Sequence, residues 1–109
     1  MTGISVEAGQ RGSFTVLSVA GPINSYTFTE MQEKVMKHVG KTDLALDLSG
    51  VSSMTSAGIG VVLAALEDAE AEGKRIFIVA PSEVARLAIE STGFADRFPT
   101  LASLKELPA

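Results

Sequence analysis

The chain has 109 residues, 46% apolar and 20% charged, a composition typical of one globular domain that spans residues 1–109. Its formal net charge of -4 gives no electrostatic reason to bind nucleic acid or anionic lipid. The absence of cysteine excludes disulfides and thiolate metal sites, and suits a reducing cytoplasm.

Two strands are predicted at the start of the chain, at Ile4–Glu7 and Phe14–Ala20. A turn at residues 9–12 contains two glycines and joins the strands into a hairpin. We expect Gly21-Pro22 to break the second strand.

An amphipathic helix that covers a sheet is predicted next. Thr27 and Glu30 have the spacing of a capping box, and Gly40 is expected to end the helix. Its apolar face consists of residues at helical intervals: Phe28, Met31, Val35 and Val39.

The third strand, Leu44–Leu48, alternates leucines on one face with Ala45 and Asp47 on the other. It is expected to lead into a hydroxyl-rich turn at Ser49–Ser56. The helix that follows starts near the end of this turn and runs to about Glu72. Because the first half of that helix is apolar nearly all round, we expect it to pack on strands and to expose part of its surface for docking.

The rest of the chain predicts a strand at Arg75–Val79, a helix from Pro81-Ser82 to Gly93, and a short final helix before Pro108. The inward residues of the longer helix are expected to be Val84, Leu87 and Ala88, and the return of the chain is expected to be anchored by Phe94 and Phe98. An opening hairpin followed by alternating helices and strands predicts an α/β fold, with a mixed sheet of four to five strands and helices mainly on one face.

The point where the third strand ends and the next helix begins is the candidate functional site. A helix start presents about four unpaired N–H donors and roughly half a positive charge, so a hydroxyl there is well placed to carry a phosphate. Hydroxyl side chains crowd this stretch: Ser49, Ser52, Ser53, Thr55 and Ser56. We predict phosphorylation of Ser56, and the alternative role for this serine is to cap the helix.

Enzyme chemistry has little support in the sequence. Gly58 and Gly60 are not followed by Lys-Ser or Lys-Thr, so the phosphate-binding P-loop pattern is not met. No G-x-S-x-G motif is present, and the single histidine, His38, is far from any candidate serine. We expect no catalysis, no cofactor and no metal; a small enzyme or nucleotide binder built on the two glycines is the third hypothesis.

Asp47–Leu66, DLSGVSSMTSAGIGVVLAAL, resembles the signature of the STAS domain, the fold of bacterial anti-sigma factor antagonists, which reads D-L-S-x-V-x-x-M-D-S-[ST/A]-G-L-G. The residues that match in register are Asp47, Leu48, Ser49, Val51, Met54, Ser56, Gly58 and Gly60. Gly21-Pro22-Ile23-Asn24 resembles the family's turn before the first helix, and the likeness extends from about residue 4 to residue 107.

The resemblance implies a single STAS domain that binds an anti-sigma factor, itself a serine kinase of the histidine-kinase-like ATPase fold. That kinase would phosphorylate Ser56 and release the domain, and a metal-dependent serine phosphatase would reset it. The domain would be a cytoplasmic ligand and substrate, as a monomer or weak homodimer. The implied docking surface is Asn24, Ser25, Met54, Thr55, Ser56, Gly58 and Ile59.

Thr55 departs from the family pattern, because most members carry Asp before the phosphorylated serine. A neutral threonine changes the charge and the hydrogen bonding beside the acceptor. Two alternatives stay open: Thr55 is itself an acceptor, or the chain is a STAS scaffold or regulatory module that is not phosphorylated.

Overall fold

The computed structural model describes residues 3–93 and 95–108. One sheet contains five strands in chain order: β1 (Ser5–Arg11), β2 (Phe14–Ile23), β3 (Asp43–Met54), β4 (Ile76–Val79) and β5 (Thr100–Leu101). The first two strands form an antiparallel hairpin, and every later neighbour pairs in parallel. The predicted mixed sheet is confirmed.

Each parallel connection contains a helix. These are α1 (Phe28–Met36), α2 (Ser56–Ala71) and α3 (Glu83–Glu90). All three pack on the same face of the sheet, where their buried side chains join one apolar core. The short final helix predicted from the sequence is a single 3-10 turn, Leu104–Glu106.

The central strand β3 supplies both apolar cores. Leu44, Leu46 and Leu48 are fully buried beneath the helices. Ala45 lies on the opposite face, in a smaller core that the C-terminal segment covers with Leu101, Leu104 and Leu107. Full burial of a leucine side chain contributes about 1.5–3 kcal/mol, so the three leucines of β3 are a large part of the stability of the main core. Phe98 is buried as expected, whereas Phe94 lies outside the described residues.

The prediction that Gly21-Pro22 breaks the second strand is wrong, because β2 continues to Ile23. A register shift between Gly21 and Pro22 lets the strand pass a residue that has no N–H. Gly21 has a φ of +100°, and a Cβ at this position would lie 2.6 Å from the carbonyl oxygen of Gly3. The hairpin turn is also shorter than predicted, since Arg11 already pairs with Phe14.

Most of the predicted turn at Ser49–Ser56 is strand, because β3 runs on to Met54. The extension is held on one side by β2, as far as the pair Ile23 and Met54. On the other side β4 pairs only as far as Asp47. The last residues of β3 therefore project past β4 and carry the start of α2 to one end of the sheet.

The predicted inward face of α3 is wrong for two of its three residues. Val84 and Leu87 are 43% and 51% exposed, whereas Ala85 and Ile89 are buried. The hydroxyl of Ser82 accepts a hydrogen bond from the Ala85 N–H at 3.2 Å and caps the helix. Ala85 and Ile89, four residues apart, then face the sheet, Ala88 is partly buried beside them, and Val84 and Leu87 point away.

Candidate functional site

The serine junction, which we define as residues 54–60, joins β3 to α2. Ser56 is the first residue of α2 and is exposed, which confirms the predicted helix start. Its hydroxyl has no hydrogen-bond partner within residues 3–93 and 95–108. The N-cap position belongs to Thr55, whose side chain makes no capping bond. Ser56 therefore does not occupy the cap position of the helix and is an exposed residue.

The junction is fixed by backbone hydrogen bonds to the end of β2. The N–H of Thr55 donates to the carbonyl oxygen of Ile23 at 2.9 Å. The first helical bond of α2 runs from the N–H of Ile59 to the carbonyl oxygen of Thr55 at 3.1 Å. The N–H groups of residues 56–58 precede that bond and form the positive end of the helix dipole. A rigid backbone thus presents the serine where negative charge is favoured.

The two glycines of the junction have different roles. Gly58 is buried, and a Cβ there would collide with the γ2 methyl of Ile23 and lie 3.3 Å from Cγ of Met54. Gly60 is exposed, and a Cβ there would meet nothing within 4 Å. Gly58 therefore lets α2 pack directly on β2 and lies beneath the surface, although it belongs to the predicted docking residues.

Residues 24–27, here called the α1 loop, lead from β2 to α1 and are tied together by side-chain hydrogen bonds. Asn24 Oδ1 accepts from the N–H of Tyr26 at 2.8 Å and of Thr27 at 3.1 Å. The Thr27 hydroxyl donates to the carbonyl oxygen of Pro22 at 2.7 Å and accepts from the N–H of Asn24 at 2.9 Å. The predicted capping box with Glu30 is wrong, because the loop already uses this hydroxyl.

The structure brings the predicted docking residues together at one end of the sheet, where the α1 loop follows β2 and the serine junction follows β3. Ser25, Thr55 and Ser56 are exposed, and Asn24, Met54 and Ile59 are partly exposed. Sequence reasoning missed Tyr26, which is 92% exposed. The indication available was an aromatic residue between polar ones, outside the apolar period of α1.

These two segments contain no formal charge. No Asp, Glu, Lys or Arg occurs in residues 20–29 or 48–66. The carboxylate of Asp47, just before the second stretch, accepts from the Ser49 N–H at 3.0 Å. A phosphate on Ser56 would bring about -1.5 to -2 charges to a segment that carries no formal charge of its own.

Among the described residues, Asp43 is the group whose pKa is clearly shifted, and it lies at the opposite end of β3. The Arg75 guanidinium and the Arg75 backbone N–H, both hydrogen-bonded to Asp43, hold the pKa of that carboxyl below its usual range. The two side chains form an ion pair of 2.8 Å that ties β3 to the start of β4. Its role is structural.

Other kinds of site gain no support. Among residues 3–93 and 95–108, no three His, Cys, Asp or Glu side chains are grouped to hold a metal ion. Within the same part of the chain, no helix combines the length and apolar character that crossing a membrane requires. Two surface clefts, one beside α3 and one between α2 and β4, include no residue of the serine junction, so neither supports a nucleotide site there.

Comparison with known proteins agrees with this architecture. Residues 5–107 match the family model described as STAS domain. The anti-sigma-B factor antagonist of Staphylococcus aureus (strain NCTC 8325 / PS 47) is 27% identical over 95 residues, which cover 85% of this chain and 88% of that protein.

Two solved structures extend the comparison. An anti-sigma factor antagonist from Mycobacterium paratuberculosis superposes with a TM-score of 0.85 at 26% identity, over 94% of this chain and 89% of that one. The Bacillus cell fate determinant SpoIIAA in its phosphorylated form superposes with a TM-score of 0.71 at 19% identity, over 94% and 95%. The chain belongs to the STAS domain family.

Proposed function

We propose that this chain is an anti-sigma factor antagonist whose binding is switched off by phosphorylation of Ser56. The unphosphorylated form binds an anti-sigma factor that is also a serine kinase. That kinase phosphorylates the chain and thereby releases it. A metal-dependent serine phosphatase then removes the phosphate and restores the binding form. The observation that carries the proposal is the exposed Ser56 at the first position of α2, whose hydroxyl has no hydrogen-bond partner among the described residues. The relatives are named anti-sigma factor antagonists, which supports an anti-sigma factor as the partner. Because sigma factors act in the cytoplasm, we propose the same location for this chain.

The chain contributes only the nucleophile to the phosphoryl transfer. Ser56 Oγ attacks the γ-phosphorus of ATP, the bond to the bridging oxygen breaks, and ADP leaves. The hydroxyl proton passes to a base of the kinase or to water. The chain is thus a substrate and a ligand in this scheme, and not the catalyst.

Phosphorylation acts on the complex more than on the fold. The dianion lies at the positive end of α2, where first-turn N–H groups can donate to it, so the modified domain stays folded. In the complex, the same charge enters an interface to which residues 20–29 and 48–66 bring no cationic side chain that could pair with it. Burying it without a cationic partner costs several kcal/mol, and each ~1.4 kcal/mol is tenfold in affinity. Release is the expected outcome.

Ser56 is proposed as the acceptor in preference to Thr55. Both residues are exposed, but the serine hydroxyl is a less hindered primary alcohol and matches the acceptor position of the family signature. The alternative, a STAS scaffold that is not phosphorylated, is not favoured, because the relatives described above are named anti-sigma factor antagonists.

Calorimetric titration against the cognate anti-sigma factor tests the proposal. We expect wild type and Ser56→Ala to bind alike without ATP, and only Ser56→Ala to stay bound once ATP is added. Ser56→Asp should weaken binding by about 100-fold or more, which corresponds to ~2.7 kcal/mol, while its thermal melt stays near that of wild type. If wild type does not bind, the chain is not an antagonist. If Ser56→Asp unfolds, the serine is structural.

A further inference from the structure

Tyr26 is the most exposed large apolar side chain among the described residues. It is 92% exposed, compared with 51% for Leu87 and 43% for Val84. An aromatic ring offers one of the largest apolar surfaces of any side chain, and its burial in an interface stabilises a complex. Because the ring contributes almost nothing to the core, its removal should leave the fold unchanged.

The α1 loop holds Tyr26 in one backbone conformation. Asn24 Oδ1 accepts from the Tyr26 N–H at 2.8 Å, and the Asn24 carbonyl oxygen accepts from the N–H of Thr27 at 3.2 Å and of Phe28 at 2.9 Å. The Thr27 hydroxyl closes the loop onto Pro22. A ring on a fixed backbone loses little conformational entropy on binding, which is typical of residues that anchor interfaces.

The α1 loop is continuous with the serine junction. Ile23 accepts the backbone hydrogen bond of Thr55 and packs directly against Gly58. Tyr26 is three residues further on, so its Cα lies within about 11 Å of the Ile23 Cα. A partner that covers Ser56 and Thr55 therefore has Tyr26 within reach of the same interface.

We propose that Tyr26 is the aromatic anchor of this interface; the inference depends on the proposed function. Residues 20–29 and 48–66 contain no Asp, Glu, Lys or Arg, so the ring meets the surface of the anti-sigma factor without desolvating a charged side chain of these two segments. That surface contains a shallow apolar pocket for the ring, with a hydrogen-bond acceptor at its mouth for the phenol O–H.

The first test is the affinity of the purified cognate anti-sigma factor, without ATP, for three variants. Tyr26→Ala should raise Kd about 30-fold, as expected for a hot-spot residue. Tyr26→Phe, which keeps the ring, should stay within about fivefold of wild type, the contribution of one hydrogen bond. Leu87→Ala removes another exposed apolar side chain and should bind as wild type does.

The outcomes separate the anchor from the proposed function. If wild type binds and Tyr26→Ala binds equally well, the anchor inference falls while the antagonist proposal stands. If Tyr26→Phe loses as much affinity as Tyr26→Ala, burial of the ring is not the cause and the inference is overturned. If Leu87→Ala loses as much affinity, the effect is not specific to the position of Tyr26, and the inference is overturned as well. If wild type does not bind the anti-sigma factor, both the anchor inference and the antagonist proposal are overturned. Matching thermal melts show that each variant is folded.

A second test uses the fact that Tyr26 is the only tyrosine in the chain. Labelling with 3-fluorotyrosine gives one ¹⁹F resonance, and the unlabelled partner contributes none. We expect this resonance to shift and broaden when the anti-sigma factor is added, and to return to its free position in Ser56→Asp. A resonance unchanged by a binding partner overturns the inference. So does a shift that depends on the concentration of the chain alone, because a second copy would then be the occupant.

Discussion

Replacing Gly58 with alanine tests how α2 is held against the end of β2. The new methyl group would collide with the γ2 methyl of Ile23 and lie 3.2 Å from its Cβ and 3.3 Å from Cγ of Met54. Ile23 is fully buried and cannot move aside without disturbing the core. Helix α2 must therefore shift away from the sheet, and the start of the helix moves with it.

The expected magnitude combines two opposing effects. Overpacking of a well-packed core costs about 1–3 kcal/mol. Replacing glycine with alanine within a helix raises the free energy of unfolding by about 0.5–1 kcal/mol. The net destabilisation lies between about 0 and 2.5 kcal/mol, centred near 1 kcal/mol. Each kcal/mol lowers Tm by roughly 4–8 °C in a domain of this size.

Gly60→Ala is the matched control, because the substitution is the same and the helix is the same. A Cβ at this position meets nothing within 4 Å, so only the helix preference of alanine remains. We expect Gly60→Ala to be more stable than wild type by about 0.5–1 kcal/mol. The difference between the two variants isolates the contact with Ile23.

Urea denaturation followed by circular dichroism measures both variants, with thermal melts in parallel. The predicted order of stability is Gly60→Ala above wild type, and wild type above Gly58→Ala. If Gly58→Ala is as stable as Gly60→Ala, α2 does not pack closely on β2 and the described geometry of the serine junction is wrong.

Three further predictions concern the surroundings of the site. Asn24→Ala should lower the free energy of unfolding, measured by urea denaturation, by about 1–2 kcal/mol, because two loop N–H groups lose their acceptor. An unchanged free energy of unfolding would mean that this side chain does not hold the loop. Leu104→Ala should lower the free energy of unfolding by about 1–2 kcal/mol, which is less than the same substitution costs at a fully buried leucine. Stability equal to that of wild type would show that the C-terminal segment does not cover the second core. Arg75 lowers the pKa of Asp43, so this carboxylate stabilises the fold above its unfolded pKa and stops doing so as pH falls through its lower folded pKa. Asp43→Asn should therefore be less stable than wild type at pH 7, by under about 1 kcal/mol for a partly exposed pair. The difference should begin to shrink as pH falls below about 4, the unfolded pKa of Asp, and should vanish only below the lowered folded pKa; a pH-independent difference would contradict the role of the charge.

The elements predicted correctly from the sequence are those set by local pattern. The alternation of Leu44, Leu46 and Leu48 with Ala45 determines which face of β3 the helices cover, and the structure follows it. The start of α2 at Ser56 follows from the change between strand and helix periodicity.

The errors arise where pairing between distant segments overrides local preference. Ser49–Met54 looks like a turn because serine and glycine disfavour strands, yet β2 holds it in the sheet. Pro22 does not end β2, because a register shift accommodates it. Neither effect is visible in a local window of sequence.

The candidate site was predicted in part. The motif made Ser56 and its neighbours candidate residues, but the exposure of Tyr26 could not be predicted, because it depends on how the α1 loop is folded. The roles of the two glycines could not be separated either, since only the position of Ile23 distinguishes Gly58 from Gly60.

The most direct test of the central claim is to map the phosphate. The chain is incubated with its cognate anti-sigma factor kinase and ATP, then digested and sequenced by tandem mass spectrometry. We predict one phosphate on Ser56 in wild type and in Thr55→Ala, and none in Ser56→Ala. A phosphate on Thr55, or an unmodified chain that the active kinase binds but does not phosphorylate, would contradict it.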